Sequence, residues 1–303
     1  MVSKELEKEL TRQHYKLVGG HSATKVCLWT RKEILNRGAC YKQKWYGIES
    51  HRCLQMTPNI TCDQCCMFCW RIIERTALPR QLKYDDPDTI ISGCIAAQRK
   101  LLNGFPGFEG TDVKKWKEAQ NPTNAAISLL GEPTLYPGLS GLIDGFRKRR
   151  MTTFLVTNGQ QPDALESITE PTQLYVSVDG PDRQTMKLLN RPAHPDHWER
   201  LNKSLECLNS LGPKCRKVIR LTLVKGHNMK SPDGYAKLIE KANPDFVEAK
   251  AYMHVGESRK RLPIEAMPSH ADVMEFSEAL ARESGYEIKD GFKPSRVVLL
   301  SAK

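Results

Sequence analysis

The feature that most limits the folds open to this 303-residue chain is a regular alternation that begins near residue 123. Short apolar runs rich in β-formers, NAAISLL (124–130), TTFLVT (152–157), QLYVSV (173–178), KVIRLTLV (217–224) and FVEAKAY (246–252), alternate with helical patterns over 137–150, 194–212 and 232–242. NITC (59–62) supplies one more run upstream. Strands separated by helix-length segments pair in parallel through right-handed crossovers. Six such runs fall short of a closed eight-stranded barrel, so the expected fold is α/β, a partial (β/α)6 barrel. Residues 1–58 and 253–303 do not follow the rhythm and read as an N-terminal cysteine-bearing extension and a C-terminal extension on a core of 59–252. No Gly/Ser/Pro linker is long enough to separate them, so one compact unit is expected.

In such folds chemistry collects at the carboxyl ends of strands. Polar or reactive stretches stand at each of these places: a cysteine cluster after the first run, GEPT after the second, TNG after the third, DGP after the fourth and KGHN after the fifth. Composition narrows the chemistry. The charged amino terminus and the lack of any apolar run near ~18 residues point to a cytoplasmic protein with no membrane span. In a reducing compartment, ten cysteines serve metal binding or catalysis rather than disulfides. A net charge of +11 suits a polyanionic partner such as nucleic acid.

Within NITCDQCCMFCW (59–70), Cys62, Cys66 and Cys69 form CxxxCxxC and Cys65 is left over. Three thiolates on a short loop hold three corners of a [4Fe–4S] cluster and leave one iron open. A structural zinc site would want a fourth ligand nearby, usually in CxxC pairs. CxxxCxxC after a first strand, with Phe68 before the last cysteine, resembles the signature of the radical S-adenosylmethionine (SAM) enzymes. That resemblance implies that SAM chelates the open iron through its amino and carboxylate groups. It also implies that the backbone of Gly131, Glu132 and Pro133 contacts the SAM amino group, although Leu130 replaces the first glycine of the family's GGEP turn. Phe68 on the adenine side, and Asn158, Ser177 and Asp179 at the ends of the third and fourth runs, are further candidate SAM contacts; the last three serve equally as loop caps.

Cys27, Cys40 and Cys53 are evenly spaced ahead of this loop. They are either three unrelated thiols or a second three-ligand cluster site. Cys94, Cys207 and Cys215 read as core or surface thiols. SLLGEPTLYPGL, FLVTNGQQPDAL, LYVSVDGPDR, VIRLTLVKGHN and PDFVEAKAYMHVGESRKRL resemble the archaeal 4-demethylwyosine synthases along nearly the whole chain. The resemblance implies two [4Fe–4S] clusters and SAM as cofactors, tRNA(Phe) with N1-methylguanosine beside the anticodon and pyruvate as substrates, and an external electron-donor protein.

The expected chemistry is hydrogen abstraction from the N1-methyl group, addition of the methylene radical to C2 of pyruvate, loss of C1, and ring closure by the guanine amine. Pyruvate is held by the open iron of the second cluster or by a Schiff base on a lysine helped by neighbouring positive charge; Lys42 stands where the resemblance implies such a lysine. RKRR (147–150), Arg259, Lys260 and Arg261 are candidate phosphate contacts or solvated charges. Trp29, Trp45 and Tyr252 are candidate stacking partners for bases or core residues. Two alternatives remain: a radical SAM RNA-modifying enzyme with another co-substrate, and a zinc-binding protein that interacts with tRNA without catalysis.

Overall fold

The computed structural model describes residues 3–72 and 83–302, and in it five of the six predicted runs become strands. The chain divides into two units, Met1–Thr61 with Leu78–Leu155, and Cys62–Ala77 with Val156–Lys303.

In the first unit β1 (Lys16–Val18), β2 (Ser22–Thr24) and β3 (Cys53–Thr57) pair antiparallel in sequence. β3 then pairs in parallel with β4 (Asn124–Ile127), and β4 with β5 (Thr152–Thr157). The helix Pro87–Leu102 crosses from β3 to β4, and Leu139–Lys148 from β4 to β5. The first of these has a defined start: Asp86 caps it by accepting from the Thr89 N–H at 3.0 Å, and Pro87 occupies the first turn, where an N–H is not needed. Ile90, Ile91, Leu142, Ile143 and Phe146 of the two helices are buried with Leu54, Met56, Ala125, Ile127 and Leu155 of the sheet.

The first parallel strand is therefore Cys53–Thr57, not NITC. Pro58 cannot donate to a ladder, and the Asn59 side-chain oxygen takes both the N–H and the hydroxyl of Thr61, at 3.1 and 2.9 Å. That local turn ends the strand. Cys53 consequently opens β3, inside a segment read from the sequence as an extension.

In the second unit β6 (Gln173–Ser177), β7 (Arg216–Leu223) and β8 (Phe246–Ala251) are parallel. With β9 (Glu287–Phe292) and β10 (Val297–Ser301), the sheet runs β6-β7-β8-β10-β9, the last two joined antiparallel. The helices His197–Ser210 and Pro232–Ala242 bury Leu201, Leu205, Leu208 and Ile239. Leu174, Val176, Ile219, Leu221, Val247 and Ala249 are buried on one face of the parallel strands. The other face carries Tyr175, Ser177, Arg220, Thr222, Glu248 and Lys250, with Ser177, Arg220 and Glu248 in one register row. Parallel strands are usually apolar on both faces; a charged row on one of them marks a surface kept for something other than packing.

Candidate active site

The loop of Cys62, Cys66 and Cys69 lies in the second unit and has no helix or strand of its own. Its order comes from neighbours. The N–H groups of Cys65 and Met67 donate to the carbonyls of Asn190 and Leu189 at 3.1 and 2.8 Å, where the helix Arg183–Asn190 ends. Met67 and Phe68 pack against Leu189, Val224, Tyr252, Leu262 and Ala266. Asp63, inside the motif, is buried and accepts from the Asn158 and Gln161 amides at 2.6 and 2.8 Å, with His194 3.5 Å away. Asn158 also points its amide at the Cys62 sulfur, 3.8 Å away.

Burial pushes the Cys66 thiol well up, and the charges of Cys69 and Cys62 add to the rise. Thiols that oppose one another's ionisation in this way are relieved when a cation binds them, as an iron–sulfur cluster does. Among the described residues, three candidate ligands come within 4.8 Å of one another at Glu49, His51 and Glu118.

Cys27, Cys40 and Cys53 converge in the first unit although they are far apart in sequence. Cys27 and Cys40 each stand at the N-cap of a short helix, Leu28–Ile34 and Tyr41–Tyr46, and Cys53 is the first residue of β3. Burial pushes the Cys53 thiol up; the charges of Cys27 and Cys40 raise it further, while the Lys42 ammonium and a hydrogen bond with Asn124 pull it down. All three sulfurs and the lysine thus share one electrostatic neighbourhood. Lys42 Nζ lies 5.0 Å from the centre of the buried Phe154 ring. Cys94 and Cys215 are buried core thiols pushed up to about 12.

The other predicted residues divide. Gly131 adopts φ +68°, and Glu132, buried, donates its N–H to the Thr61 carbonyl at 2.7 Å while its carboxylate accepts from the Thr134 N–H and hydroxyl at 3.0 and 2.6 Å. Pro133 begins the short turn that follows. Ser177 ends β6 on the polar face. Asp179 is fully engaged, accepting from Asn190 at 3.0 Å and from the Thr222 N–H at 3.0 Å; burial raises its carboxyl. It holds the helix end that carries the cysteine loop.

Tyr252 is buried, with its hydroxyl on Ser258 at 3.1 Å, and offers no face for a base. Trp29 lies under the Lys32 ammonium at 4.8 Å, and Trp45 packs against Tyr41 at 4.8 Å. RKRR ends the helix Leu139–Lys148 just ahead of β5, at the sheet edge opposite the GEP turn that follows β4. Arg147 and Arg149 are paired there with Asp144 and Asp88 at 3.1 and 3.0 Å. Asp63, Gln161, His194 and the pair Arg220–Glu248 were missed from the sequence; an aspartate enclosed by the cysteine motif was the available signal for the first three.

Two family models match the chain: Radical SAM superfamily over residues 111–239, and Wyosine base formation over 241–302. An S-adenosyl-L-methionine-dependent tRNA 4-demethylwyosine synthase from Pyrococcus horikoshii is 53% identical, over 98% of this chain and 88% of its own. A solved structure of TYW1 with a lysine–pyruvate adduct bound superposes with a TM-score of 0.90 at 38% identity, covering 99% of this chain and 96% of that one. A crystal structure of archaeal TYW1 gives 0.83 at 35% identity, covering 99% and 96%.

Proposed function

The chain belongs to the family of S-adenosyl-L-methionine-dependent tRNA 4-demethylwyosine synthases, and from that premise we propose that it joins the N1-methylguanosine beside the anticodon of tRNA(Phe) to pyruvate-derived carbons, closing the third ring. SAM and one [4Fe–4S] cluster come with the family's radical SAM fold. Cys62, Cys66 and Cys69 would hold that cluster, with Asp63 and Asn158 ordering the Cys62 end of the loop. When bound, it supplies the electron, drawn from a separate donor protein, that cleaves SAM to methionine and a 5′-deoxyadenosyl radical.

In this reading Cys27, Cys40 and Cys53 hold a second [4Fe–4S] cluster, and Lys42 is the group that fixes pyruvate. The observation that carries the assignment is the convergence of Lys42 with those three cysteines, in a chain whose TYW1 relative carries a lysine–pyruvate adduct. The neutral Lys42 amine attacks C2 of pyruvate; the keto oxygen leaves as water with both amine hydrogens, and a carbon–nitrogen double bond remains. Phe154 closes one side of the lysine and limits its contact with water.

Phe68 faces the adenine side of SAM. The backbone of Gly131, Glu132 and Pro133 serves its amino group, and Asn158 and Ser177 its polar parts, with Asp179 supporting the loop beneath. Arg259 and Lys260, exposed on their turn, supply charge for tRNA phosphates. No helix among the described residues is long and apolar enough to cross a membrane, and ten free cysteines suit the cytoplasm.

Anaerobic incubation with SAM, pyruvate and tRNA bearing N1-methylguanosine, followed by mass spectrometry of the nucleosides, tests the reading. The tricyclic base is expected; SAM cleavage without it would overturn the assignment. Borohydride reduction with labelled pyruvate should mark Lys42, and a label confined to another lysine would remove its role.

A further inference from the structure

The cysteine loop of the second unit is gripped from two sides, and the second grip comes from a segment the sequence marks only as basic. On one side stand the carbonyls at the end of the helix Arg183–Asn190, together with the Ala193 N–H, which donates to the Asp63 carbonyl at 2.9 Å. On the other is the turn Gly256–Lys260 and the arginine after it. The Glu257 N–H donates to the Trp70 carbonyl at 3.0 Å. That approach is so close that a Cβ on residue 256 would lie 2.2 Å from the same oxygen. Arg261 then reaches back across the loop: its Nε donates to the Met67 carbonyl at 3.2 Å and its Nη2 to the carbonyl of Cys69. Its neighbour Lys260 is paired with Glu257 at 2.6 Å, so of the two cations it is Arg261 that faces the loop.

We propose that Arg261 is a positioning residue for the first cluster, clamping the Cys66–Cys69 arc through two main-chain carbonyls and setting a fixed positive charge beside Cys69. The inference rests on the reading of Cys62, Cys66 and Cys69 as cluster ligands. A planar guanidinium suits the first task, because it sends two donors to two acceptors in fixed directions where an ammonium sends one strong charge along a flexible stem. It suits the second because it stays charged at all working pH values. A positive charge beside a ligand favours the more negative, reduced form of a cluster, by the same electrostatics that lower the pKa of an acid.

Arg261→Gln and Arg261→Lys separate the two tasks. In metal-free full-length chain, hydrogen exchange of the amides in residues 62–72 should speed up in both variants, since neither reproduces the two-donor fork. In anaerobically reconstituted chain, an EPR-monitored redox titration should show that Arg261→Gln lowers the reduced fraction at a fixed potential. The loss should be on the order of tenfold, the effect of one unit charge roughly 10 Å away at an effective dielectric near 20. Arg261→Lys should keep that fraction near the unaltered value. Loss of first-cluster iron from the Gln variant with retention in the Lys variant would also support the charge role. Unchanged exchange in both variants would overturn the clamp, and an unchanged midpoint in an iron-replete Gln variant would overturn the charge role. If the unaltered chain binds no iron at Cys62, Cys66 and Cys69, the functional reading and the charge role both fall, while the exchange result still judges the clamp.

Discussion

Gly131→Ala places a single methyl group where three main-chain atoms already stand. The residue sits at φ +68°, where a side chain costs about 1–2 kcal/mol. The new Cβ would lie 2.2 Å from the Asn59 oxygen, 2.5 Å from the Thr61 oxygen and 2.6 Å from the Ile60 carbonyl carbon. None of these can rotate away as a side-chain tip could, so the turn must lift off the end of β3. Lifting it breaks the bond from the Glu132 N–H to the Thr61 carbonyl, 2.7 Å long and buried, for a further loss of about 1–3 kcal/mol.

The expected destabilisation is therefore about 2–5 kcal/mol. Gly47→Ala is the control: it has a similar φ, +71°, with nothing within 4 Å of an added Cβ, and should lose only the conformational part, about 1–2 kcal/mol. Urea unfolding of the metal-free chain, with both variants measured against the unaltered protein, reads the difference directly. SAM binding by equilibrium dialysis should weaken at least about tenfold in Gly131→Ala if the turn also serves the SAM amino group, that being the loss of one hydrogen bond to a charged group. Equal stability of the two variants would refute the steric argument, because φ alone would then account for both.

Replacing Cys27, Cys40 and Cys53 together by alanine should lower iron from about eight to about four per chain after anaerobic reconstitution; retention of the higher value would remove the second site. Glu248→Ala leaves the partly buried Arg220 without the carboxylate it contacts at 2.9 Å and should cost about 3–5 kcal/mol in thermal or urea unfolding, whereas a loss below about 1 kcal/mol would show that the pair contributes little. The side-chain and backbone hydrogen bonds of Ser269, then the Lys225 ammonium, hold the Asp272 carboxyl down from 3.8 to about 2. Its contribution to the cap of helix His270–Ser284 is whole above pH 3.8 and is lost as pH falls to about 2. Ser269→Ala should move the Asp272 midpoint back up in an NMR titration, and an unmoved midpoint would exclude the capping box as the cause.

What the sequence made legible follows from where its information is local. TTFLVT becomes β5 over Thr152–Thr157, and PDGYAKLIEKA becomes the helix Pro232–Ala242, residue for residue, because period and end signals agree within each segment. NITC misled for an equally local reason. Its apolar and β-branched residues look like a strand, but Asn59 spends its side chain on the backbone two residues on, which a count of strand formers does not register. The cysteines stood out because cluster chemistry admits few residue types, and so the type alone carried the signal. That Cys27, Cys40 and Cys53 share one neighbourhood with Lys42 depends on two short helices and a strand end meeting, a fact of tertiary packing that spacing does not encode.

The residues around those ligands were illegible for a different reason: a polar side chain is assigned by which buried partner lacks a donor or acceptor, and that partner is distant in sequence. Asp179 follows the end of a strand by two residues, the usual place for a substrate contact, yet both its oxygens are taken by Asn190 and by the Thr222 N–H, and it acts on the loop through the helix end it secures. Arg261 sits in a run of three cations, the usual place for a phosphate contact, yet the carbonyls of Met67 and Cys69 lie across from it and claim it. Leaving either carbonyl without a donor in a part-buried loop would cost about 1–3 kcal/mol, more than an exposed arginine gains from most surface contacts. The other two cations of the run differ in how firmly they are held. Lys260 is held by Glu257, while the Arg259 main contact is the Gly256 carbonyl on its own exposed turn, so Arg259 is the one whose charge is cheapest to redirect toward an RNA backbone. Charge reversal at Arg259 should therefore weaken tRNA binding and flatten its salt dependence while leaving the cysteine loop in place, and a change in cluster content there would mean that the turn, not the side chain, had been disturbed.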